Sequence, residues 1–224
     1  MNKKKYTIAQ ILPALNTGGV ERGTVEISKA LVDNNFKSIV ISSGGYMVSQ
    51  ITRNGGIHYD LDVHTKNPLK WPKIRSKLKK ILESENVDLI HFCSRAPAWI
   101  GIPIGVILDI PIITSVHMRF RKSNFFKKYY NSILTKGNFI IAISKHIEES
   151  IKNSFPNVTG KIKVIHRGVD LDLFNPSKIN PARIISQSKH LNLKVNIPVI
   201  IMAARPAMWK GYQVLIKALS KVKH

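Results

Sequence analysis

The chain has 224 residues, of which 35 are Lys or Arg and 13 are Asp or Glu, and its formal net charge at pH 7 is +22. Hydrophobic residues make up 44% of the chain, enough to bury a core, so the composition excludes a disordered basic tail. The single cysteine, Cys93, excludes an intramolecular disulfide and a cysteine-rich zinc site.

Short apolar runs alternate with amphipathic segments as far as about residue 166. The apolar runs predict strands at residues 6–12, 38–43, 57–61, 87–93, 112–116, 139–143 and 163–166. The intervening segments predict helices at residues 21–34, 46–54, 71–83, 98–108, 125–135 and 146–154. Strands that alternate with helices indicate right-handed crossovers and a parallel sheet covered on both faces. Residues 1–166 are therefore predicted to form a doubly wound α/β domain.

The pattern changes after residue 166. Residues 167–197 combine a turn-rich connector with a basic helix near residues 180–193. Residues 198–203 predict a new buried strand, and residues 211–222 predict a new helix. One strand and one helix cannot bury a core of their own, so residues 198–224 are interpreted as the incomplete start of a second domain.

No segment predicts a membrane-spanning helix. The longest apolar run, near residues 100–116, is interrupted by two prolines and an aspartate, whereas a span needs about 20 apolar residues. Residues 1–15 have the basic start and apolar patch of a signal peptide, but the patch contains Gln10 and Pro13 and no clear cleavage site follows. This segment is therefore interpreted as the first strand.

The positive charge has two interpretations. Lys, Ile and Asn are used heavily, as an AT-rich coding sequence produces, and the charge then needs no partner. Alternatively, the chain binds an acidic partner such as a phospholipid surface, a sugar nucleotide or a nucleic acid. The sequence has no helix-turn-helix, zinc-finger or RRM signature, which argues against nucleic acid. The basic, aromatic residues 119–130 either lie on an anionic surface or form a solvated helix face with aromatic side chains partly in the core.

Ligands of open parallel sheets bind beyond the carboxyl ends of the strands, so the residues after each predicted strand are site candidates. Gly18 and Gly19 precede the first helix, where free N–H groups attract a phosphate, although a plain turn explains them equally well and the dinucleotide fingerprint is absent. Arg95 follows the fourth predicted strand and either meets an anion or is solvated. His117 follows the fifth strand and either contacts a sugar, transfers a proton, or is a capping or surface side chain.

Two further positions are informative. His91 lies inside the fourth predicted strand and is interpreted as a core histidine with a hydrogen-bond partner. Arg205 and Lys210 flank the loop between the predicted strand and helix of the second domain. The planar fork of an arginine and the point charge of a lysine together suit a diphosphate.

These segments together resemble the retaining glycosyltransferases of family 4, which have the GT-B fold, in particular enzymes that build bacterial cell-surface saccharides. The resemblance covers essentially the whole chain, and the order and spacing of its motifs match. It is carried by GGVERG at residues 18–23, HFCSRAPAW at 91–99, Ser115-Val116-His117, VIHRGVD at 164–170 with Phe174 and Pro176, and Arg205 with Trp209-Lys210-Gly211.

The resemblance implies a Rossmann-like N-terminal domain of a GT-B fold, which mainly takes the acceptor, and a second Rossmann-like domain, which mainly takes the nucleotide sugar. Gly18 and Gly19 are then expected to lie near the donor diphosphate. Arg205 and Lys210 are expected to bind that diphosphate and to act catalytically, by neutralising its charge in the transition state.

The resemblance also implies that His117 is a catalytic residue at the transferred sugar and that Glu21 and Arg95 bind the acceptor. The expected partners are a nucleotide sugar, a lipid-linked or saccharide acceptor and an anionic membrane surface, with no nucleic acid. No metal and no other cofactor are expected, since the nucleotide-diphosphate sugar is a substrate. The expected location is the cytoplasm, peripheral at the inner face of the membrane.

Three positions depart from the family's usual pattern. Ala204 stands where glycine is usual, Cys93 where a second histidine is frequent, and His166-Arg167 where Pro-Asn is frequent. The pair of glutamates that the family has further along its second domain is not in the sequence. A second hypothesis therefore stays open: a truncated, catalytically inactive fragment of such an enzyme, which needs a separate chain with the donor domain.

Overall fold

A computed structural model of the chain describes residues 5–65, 67–120, 124–194, 196–204 and 206–222. The chain divides into two compact units, Met1–Gly168 and Val169–His224. The division falls shortly after the last strand of the first unit, in the turn-rich connector.

The first unit is built on a parallel sheet. Within the described residues its strands are β1 (Thr7–Ile11), β2 (Lys37–Ser42), β3 (Ile57–Asp60), β4 (Leu89–Phe92), β5 (Ile112–Val116), β6 (Phe139–Ala142) and β7 (Ile162–Val164). They lie in the order β3-β2-β1-β4-β5-β6-β7, and every neighbouring pair is parallel. The predicted doubly wound α/β fold is confirmed, because each strand predicted in residues 1–166 forms close to its predicted place.

Helices connect these strands. They are α1 (Gly19–Asp33), α2 (Val48–Arg53), α3 (Trp71–Ser84), α4 (Arg95–Ile107), α5 (Phe125–Ser132) and α6 (Lys145–Ser154). Helix α4 begins at Arg95 rather than at the predicted residue 98, and Pro97 lies in its first turn, where a missing N–H costs no helical hydrogen bond. Helix α5 ends early because the chain continues as the 3-10 turn Ile133–Thr135.

The core of the first unit lies on both faces of the sheet. All of β1 is buried, and so is β2 after its first residue. Ile39 and Ile41 belong to the main apolar cluster, whereas Val40 between them packs with Leu12 and Val25 in a second cluster. Successive side chains of a strand point to opposite faces, so both faces are covered. Because neither face of the sheet is in contact with water, the strand sequences are continuous apolar runs.

The position of β1 determines where a ligand can bind. It pairs with β2 on one side and with β4 on the other, so the chain winds in opposite directions from this point. Connections that diverge in this way leave a crevice beyond the carboxyl ends of the strands. The first turn of α1 follows β1 and the first turn of α4 follows β4. The topology therefore brings the candidate loops after β1, β4 and β5 to one edge of the sheet.

The second unit is less regular. Its described residues contain the helices α7 (Pro181–His190) and α8 (Tyr212–Leu219). The strand predicted at residues 198–203 does not form, and Ile200 and Ile201 in that segment are 63% and 75% exposed. A strand needs a neighbouring strand for its backbone hydrogen bonds, and the described part of this unit supplies none. None of the described side chains of the second unit is buried.

Strand β4 carries a buried histidine. The Nε2 atom of His91 lies 2.7 Å from the Oγ atom of Ser115 in β5, so the ring has the hydrogen-bond partner expected of a core histidine. Burial, and to a lesser extent the neighbouring His117, lowers the pKa of His91 from 6.5 to about 4. His91 is therefore neutral at pH 7.

We expect acid to destabilise the protein partly through His91. The unfolded chain takes up a proton at this position near pH 6.5, whereas the folded protein does so only near pH 4, so the free energy of unfolding falls between these values. The difference corresponds to ~3 kcal/mol. Urea unfolding of the wild type and of His91→Gln, at about pH 7.5 and about pH 4.5, measures this fall in the free energy of unfolding. The variant should lose less stability in acid than the wild type does.

The matched control is His146→Gln, which makes the same substitution at an exposed histidine of the first unit. The same loss of stability in acid for His91→Gln and the wild type would show that His91 is not the group that titrates.

Candidate functional site

The first turn of α1 lies at the carboxyl edge of the sheet. Gly18 is the N-cap residue and has no side chain to bond the free N–H groups, and its carbonyl accepts a hydrogen bond of 3.0 Å from the N–H of Arg22. The carboxylate of Glu21 folds back over Gly18, since a Cβ built at Gly18 would overlap its Oε2 atom. A negative charge at this end of a helix is favourable. The turn is thus formed by glycine backbone and one carboxylate.

Arg167 reaches the same helix from the segment that follows β7. A Cβ built at Gly19 would lie 3.3 Å from Nη1 of Arg167, and a Cβ at Gly23 would overlap the guanidinium. Gly23 is buried and lies one helical turn after Gly19. The absence of side chains at these two positions forms a notch on α1, which the guanidinium fills.

His117 follows β5 and is a neighbour of Arg167. Both of its ring nitrogens are buried and have no hydrogen-bond partner among the described residues. Burial first, and the positive charge of Arg167 second, lower the pKa of His117 from 6.5 to about 4. The ring is therefore neutral at pH 7, with one N–H donor and one acceptor nitrogen. Because buried polar atoms normally have partners, this ring favours a ligand with hydroxyl groups.

Cys93 lies close to this site but takes no part in its chemistry. Burial raises the pKa of its thiol to about 12, although a hydrogen bond with Thr24 and the charge of Arg167 act in the opposite direction. A protonated, buried thiol is a poor nucleophile. Cys93 packs with Leu12 and Val25 and is a core residue.

Arg95 connects the sheet edge to an open groove. Its Nε atom is buried without a partner among the described residues, and its Cζ atom lies 5.8 Å from the centre of the Phe120 ring. Phe120 lines a groove of about 670 Å³ between the loop after β5 and α6. The other lining residues are Arg119, His146, Glu149, Ser150, Asn153 and Ser154. An aromatic ring among polar side chains of both charges is a lining that suits a saccharide.

Helix α5 presents an aromatic surface next to α4. Phe125 and Phe126 are 77% and 79% exposed. The rings of Tyr129 and Tyr130 contact Trp99 of α4, with ring centroids 5.2 and 6.4 Å apart, and the indole N–H of Trp99 donates to the carbonyl of Tyr130. The tyrosines therefore pack against α4, although they are 60% and 44% exposed, and the phenylalanines face outward. Contact of this helix with an anionic surface stays a prediction.

The structure places most of the predicted site residues in the first unit. Gly18, Gly19, Glu21, Arg95 and His117 all lie at the carboxyl edge of the sheet, and Arg167 is a common neighbour of Gly19 and His117. Lys210 belongs to the second unit, at the end of the 3-10 turn Met208–Lys210 that precedes α8. Arg205 lies outside the described residues. The roles predicted for all of these residues remain predictions.

Arg167 itself did not emerge as a site residue from the sequence. One signal was the departure from the family's pattern before Gly168, where a cation replaces the frequent asparagine. A second signal was the spacing of Gly19 and Gly23, which lie one helical turn apart and leave space for a side chain. The two signals are far apart along the chain, and only the folded structure joins them.

The described ranges contain neither a cluster of metal-binding side chains nor a helix that could span a membrane. No group of three or more His, Cys, Asp or Glu side chains among those residues is arranged to hold a metal ion. Among the helices in the same ranges, none is both long enough and apolar enough to cross a membrane.

Comparison with known proteins gives several matches. The sequence profile of Glycosyltransferase Family 4 matches residues 17–173. Spore coat protein SA of Bacillus subtilis is 23% identical over 207 residues, which are 92% of this chain and 53% of that protein.

Solved structures are also similar. A glycosyltransferase from Rickettsia africae is 36% identical with a TM-score of 0.86, and the match covers 99% of this chain and 59% of that one. HepE from Anabaena, solved in complex with UDP and glucose, is 18% identical with a TM-score of 0.78 and has the same fold; the match covers 96% of this chain and 58% of that one. The chain therefore spans a little more than half the length of these relatives. Because the profile matches well over half of its residues, the chain belongs to Glycosyltransferase Family 4.

Proposed function

We propose that the chain acts in a retaining glycosyltransferase, which transfers a sugar from a nucleotide-diphosphate donor to a lipid-linked or other envelope saccharide. The observation that carries the proposal is His117, a neutral ring at the carboxyl edge of a family 4 sheet whose two nitrogens are buried and unpartnered in the described part of the chain. The complex of Anabaena HepE with UDP and glucose supports a nucleotide sugar as the donor. The chain provides the acceptor-side domain and the start of the donor domain.

His117 is proposed to hold a hydroxyl of the transferred sugar. A neutral imidazole can donate one hydrogen bond and accept another, so it can hold a hydroxyl without adding charge next to Arg167. A sugar held in this way presents its anomeric carbon to the acceptor in a defined orientation. Orientation of this kind lowers the barrier because the reacting groups no longer have to lose their rotational freedom in the transition state.

The diphosphate leaving group needs positive charge. As its bond to the sugar breaks, negative charge builds on the diphosphate oxygens, and donors already in position stabilise that charge. In the proposal these donors are the backbone N–H groups of the turn at Gly18 and Gly19, together with Arg205 and Lys210. Because these groups supply the charge that a divalent metal supplies elsewhere, the proposed mechanism includes no metal.

The acceptor is proposed to lie along the first unit. Glu21 presents a carboxylate at the first turn of α1, where it can accept hydrogen bonds from acceptor hydroxyls. The buried Nε atom of Arg95 lacks a partner within the part of the chain that the structure describes. Its guanidinium lies beside Phe120, which lines the polar groove. A saccharide in that groove would therefore lie beside Phe120, close to Arg95.

A specific observation favours the second candidate function, a chain that is inactive until it combines with a separate donor domain. None of the described side chains of the second unit is buried, and the exposed apolar residues include Ile201 and Val214. The described residues of this unit therefore form no core that could hold a nucleotide. Donor binding by the chain alone therefore distinguishes the two candidates.

Calorimetric titration of the purified chain with a series of nucleoside diphosphates tests the donor site. We expect micromolar binding, and we expect Lys210→Ala to weaken it about 30-fold, because a charge-assisted contact of ~2 kcal/mol is lost. The control is Lys217→Ala on α8, which removes an exposed lysine of the same unit and should bind as the wild type does. Millimolar or absent binding by the wild type would support the inactive fragment instead.

Sugar transfer tests His117. We expect His117→Ala to lower kcat about 100-fold, because the ring no longer orients the transferred sugar. The assay follows transfer from labelled nucleotide sugars to a bacterial envelope extract. His64→Ala, which removes an exposed histidine after β3, is the control. Wild-type turnover by His117→Ala would remove His117 from the mechanism.

We also propose that the enzyme is cytoplasmic and works at the inner face of the membrane, on anionic lipid. Support comes from α5, where the exposed Phe125 and Phe126 lie next to the exposed Lys127 and Lys128. Aromatic rings that enter the lipid interface, flanked by lysines that attract anionic headgroups, are typical of interfacial helices. The net charge of +22 acts in the same direction.

Vesicle co-sedimentation tests the membrane surface. We expect binding to phosphatidylcholine vesicles that contain phosphatidylglycerol, none to phosphatidylcholine alone, and a steep loss with added salt. Replacing both Lys127 and Lys128 by Gln should weaken binding by about tenfold or more, at ~1 kcal/mol for each lysine. The control replaces Lys79 and Lys80 of α3, which are also exposed. Salt-independent binding would contradict an electrostatic contact.

A further inference from the structure

The guanidinium of Arg167 lies in the notch of α1. None of the ion pairs or hydrogen bonds found among the described residues includes Arg167. Glu21, the carboxylate of the same helical turn, folds over Gly18 instead. The side chain of Arg167 is exposed, so a ligand from solvent can reach it.

Apart from the Glu21 carboxylate over Gly18, the groups near Arg167, which include the terminus of α1, His117 and Cys93, are positive or neutral. The first turn of α1 directs its N–H groups and the positive end of the helix dipole towards this region. Arg167 also disfavours the protonated form of His117, which is part of the reason why that ring is neutral. A cation held against the positive end of a helix is unfavourable by itself, and it becomes favourable when an anion binds between the two.

We propose that Arg167 is a substrate-binding residue that holds an anionic oxygen group, a phosphate or a carboxylate, between the first two turns of α1 and the ring of His117. The inference rests on the proposed function, because it states that one substrate of that same site carries a negative charge where it contacts Arg167. The guanidinium presents two parallel N–H donors to two oxygens of the group, and the neutral ring of His117 can donate a third hydrogen bond. The group belongs either to the donor diphosphate or to an acidic acceptor.

The position of Arg167 makes it a specificity determinant. An asparagine, which is frequent in the family before the glycine, is shorter and carries no charge. The notch at Gly23 accommodates a guanidinium, so this chain combines the charged side chain with the space that it needs. A substrate without an anionic group would leave the guanidinium unpaired and would bind less tightly.

Two variants separate the charge of Arg167 from its position. Arg167→Gln removes the charge. Gly23→Ala keeps the charge but fills the notch, since the atoms nearest to that Cβ all belong to the guanidinium. Alanine is a better helix former than glycine, so we expect Gly23→Ala to fold. Arg53→Gln is the control, because it removes an exposed positive charge of the first unit on α2.

The experiment is an NMR titration of the full chain that follows the ring signals of His117. The two ligands are inorganic pyrophosphate, which represents the donor diphosphate, and glucuronate, which represents an acidic acceptor. We expect at least one of them to shift these signals saturably and to raise the pKa of His117, as a nearby negative charge must. Arg167→Gln and Gly23→Ala should each bind about tenfold more weakly or worse, and Arg53→Gln should bind as the wild type does.

The ligand that is affected by Arg167→Gln identifies the substrate group that Arg167 holds. Unchanged binding by Arg167→Gln, or no response of His117 to either anion in the wild type, would overturn the inference. If anion binding depends on Arg167 but no nucleotide sugar supports transfer, then the inference stands and the proposed function fails. If sugar transfer occurs but neither it nor anion binding depends on Arg167, then only the inference fails.

Discussion

Parallel pairing of β1 with β2 on one side and β4 on the other is the constraint on which the rest of the first unit depends. Because all strands run in the same direction, their carboxyl ends meet at one edge of the sheet. The first turn of α1, the first turn of α4 and His117 after β5 therefore lie at that edge. β7 is the outermost strand at the opposite end of the sheet from β3, and the segment after it brings Arg167 to the same carboxyl edge. Residues from four distant parts of the chain thus lie at the same edge of the sheet.

Burial and charge act together at this edge. Burial lowers the pKa of both His91 and His117 to about 4, and Arg167 adds to the effect on His117. Both rings are neutral at pH 7 for that reason, but they differ in their surroundings. His91 has a hydrogen-bond partner in Ser115 and belongs to the core, whereas His117 has none within the described residues. The same shift of pKa therefore accompanies a structural role in one case and suggests a ligand-binding role in the other.

The two units differ in what stabilises them. The first unit has a sheet with apolar clusters on both faces, which provide the hydrophobic contribution to its stability. The second unit has helices of ten and eight residues, and none of its described side chains is buried. Isolated helices of this length are marginal in water.

The sequence by itself determined the order and the places of the strands and helices in residues 1–166, because hydrophobic periodicity is a local property of the chain. It also indicated His91 as a core residue and Gly18, Gly19, Arg95 and His117 as edge residues, since strand ends can be read from the same periodicity. It was wrong about a strand at residues 198–203, because a strand forms only when a neighbouring strand pairs with it. Only the tertiary structure placed Arg167 in the notch at Gly23 and buried both nitrogens of His117 with no partner among the described residues. These arrangements involve residues that are distant in the sequence, and no local pattern encodes them.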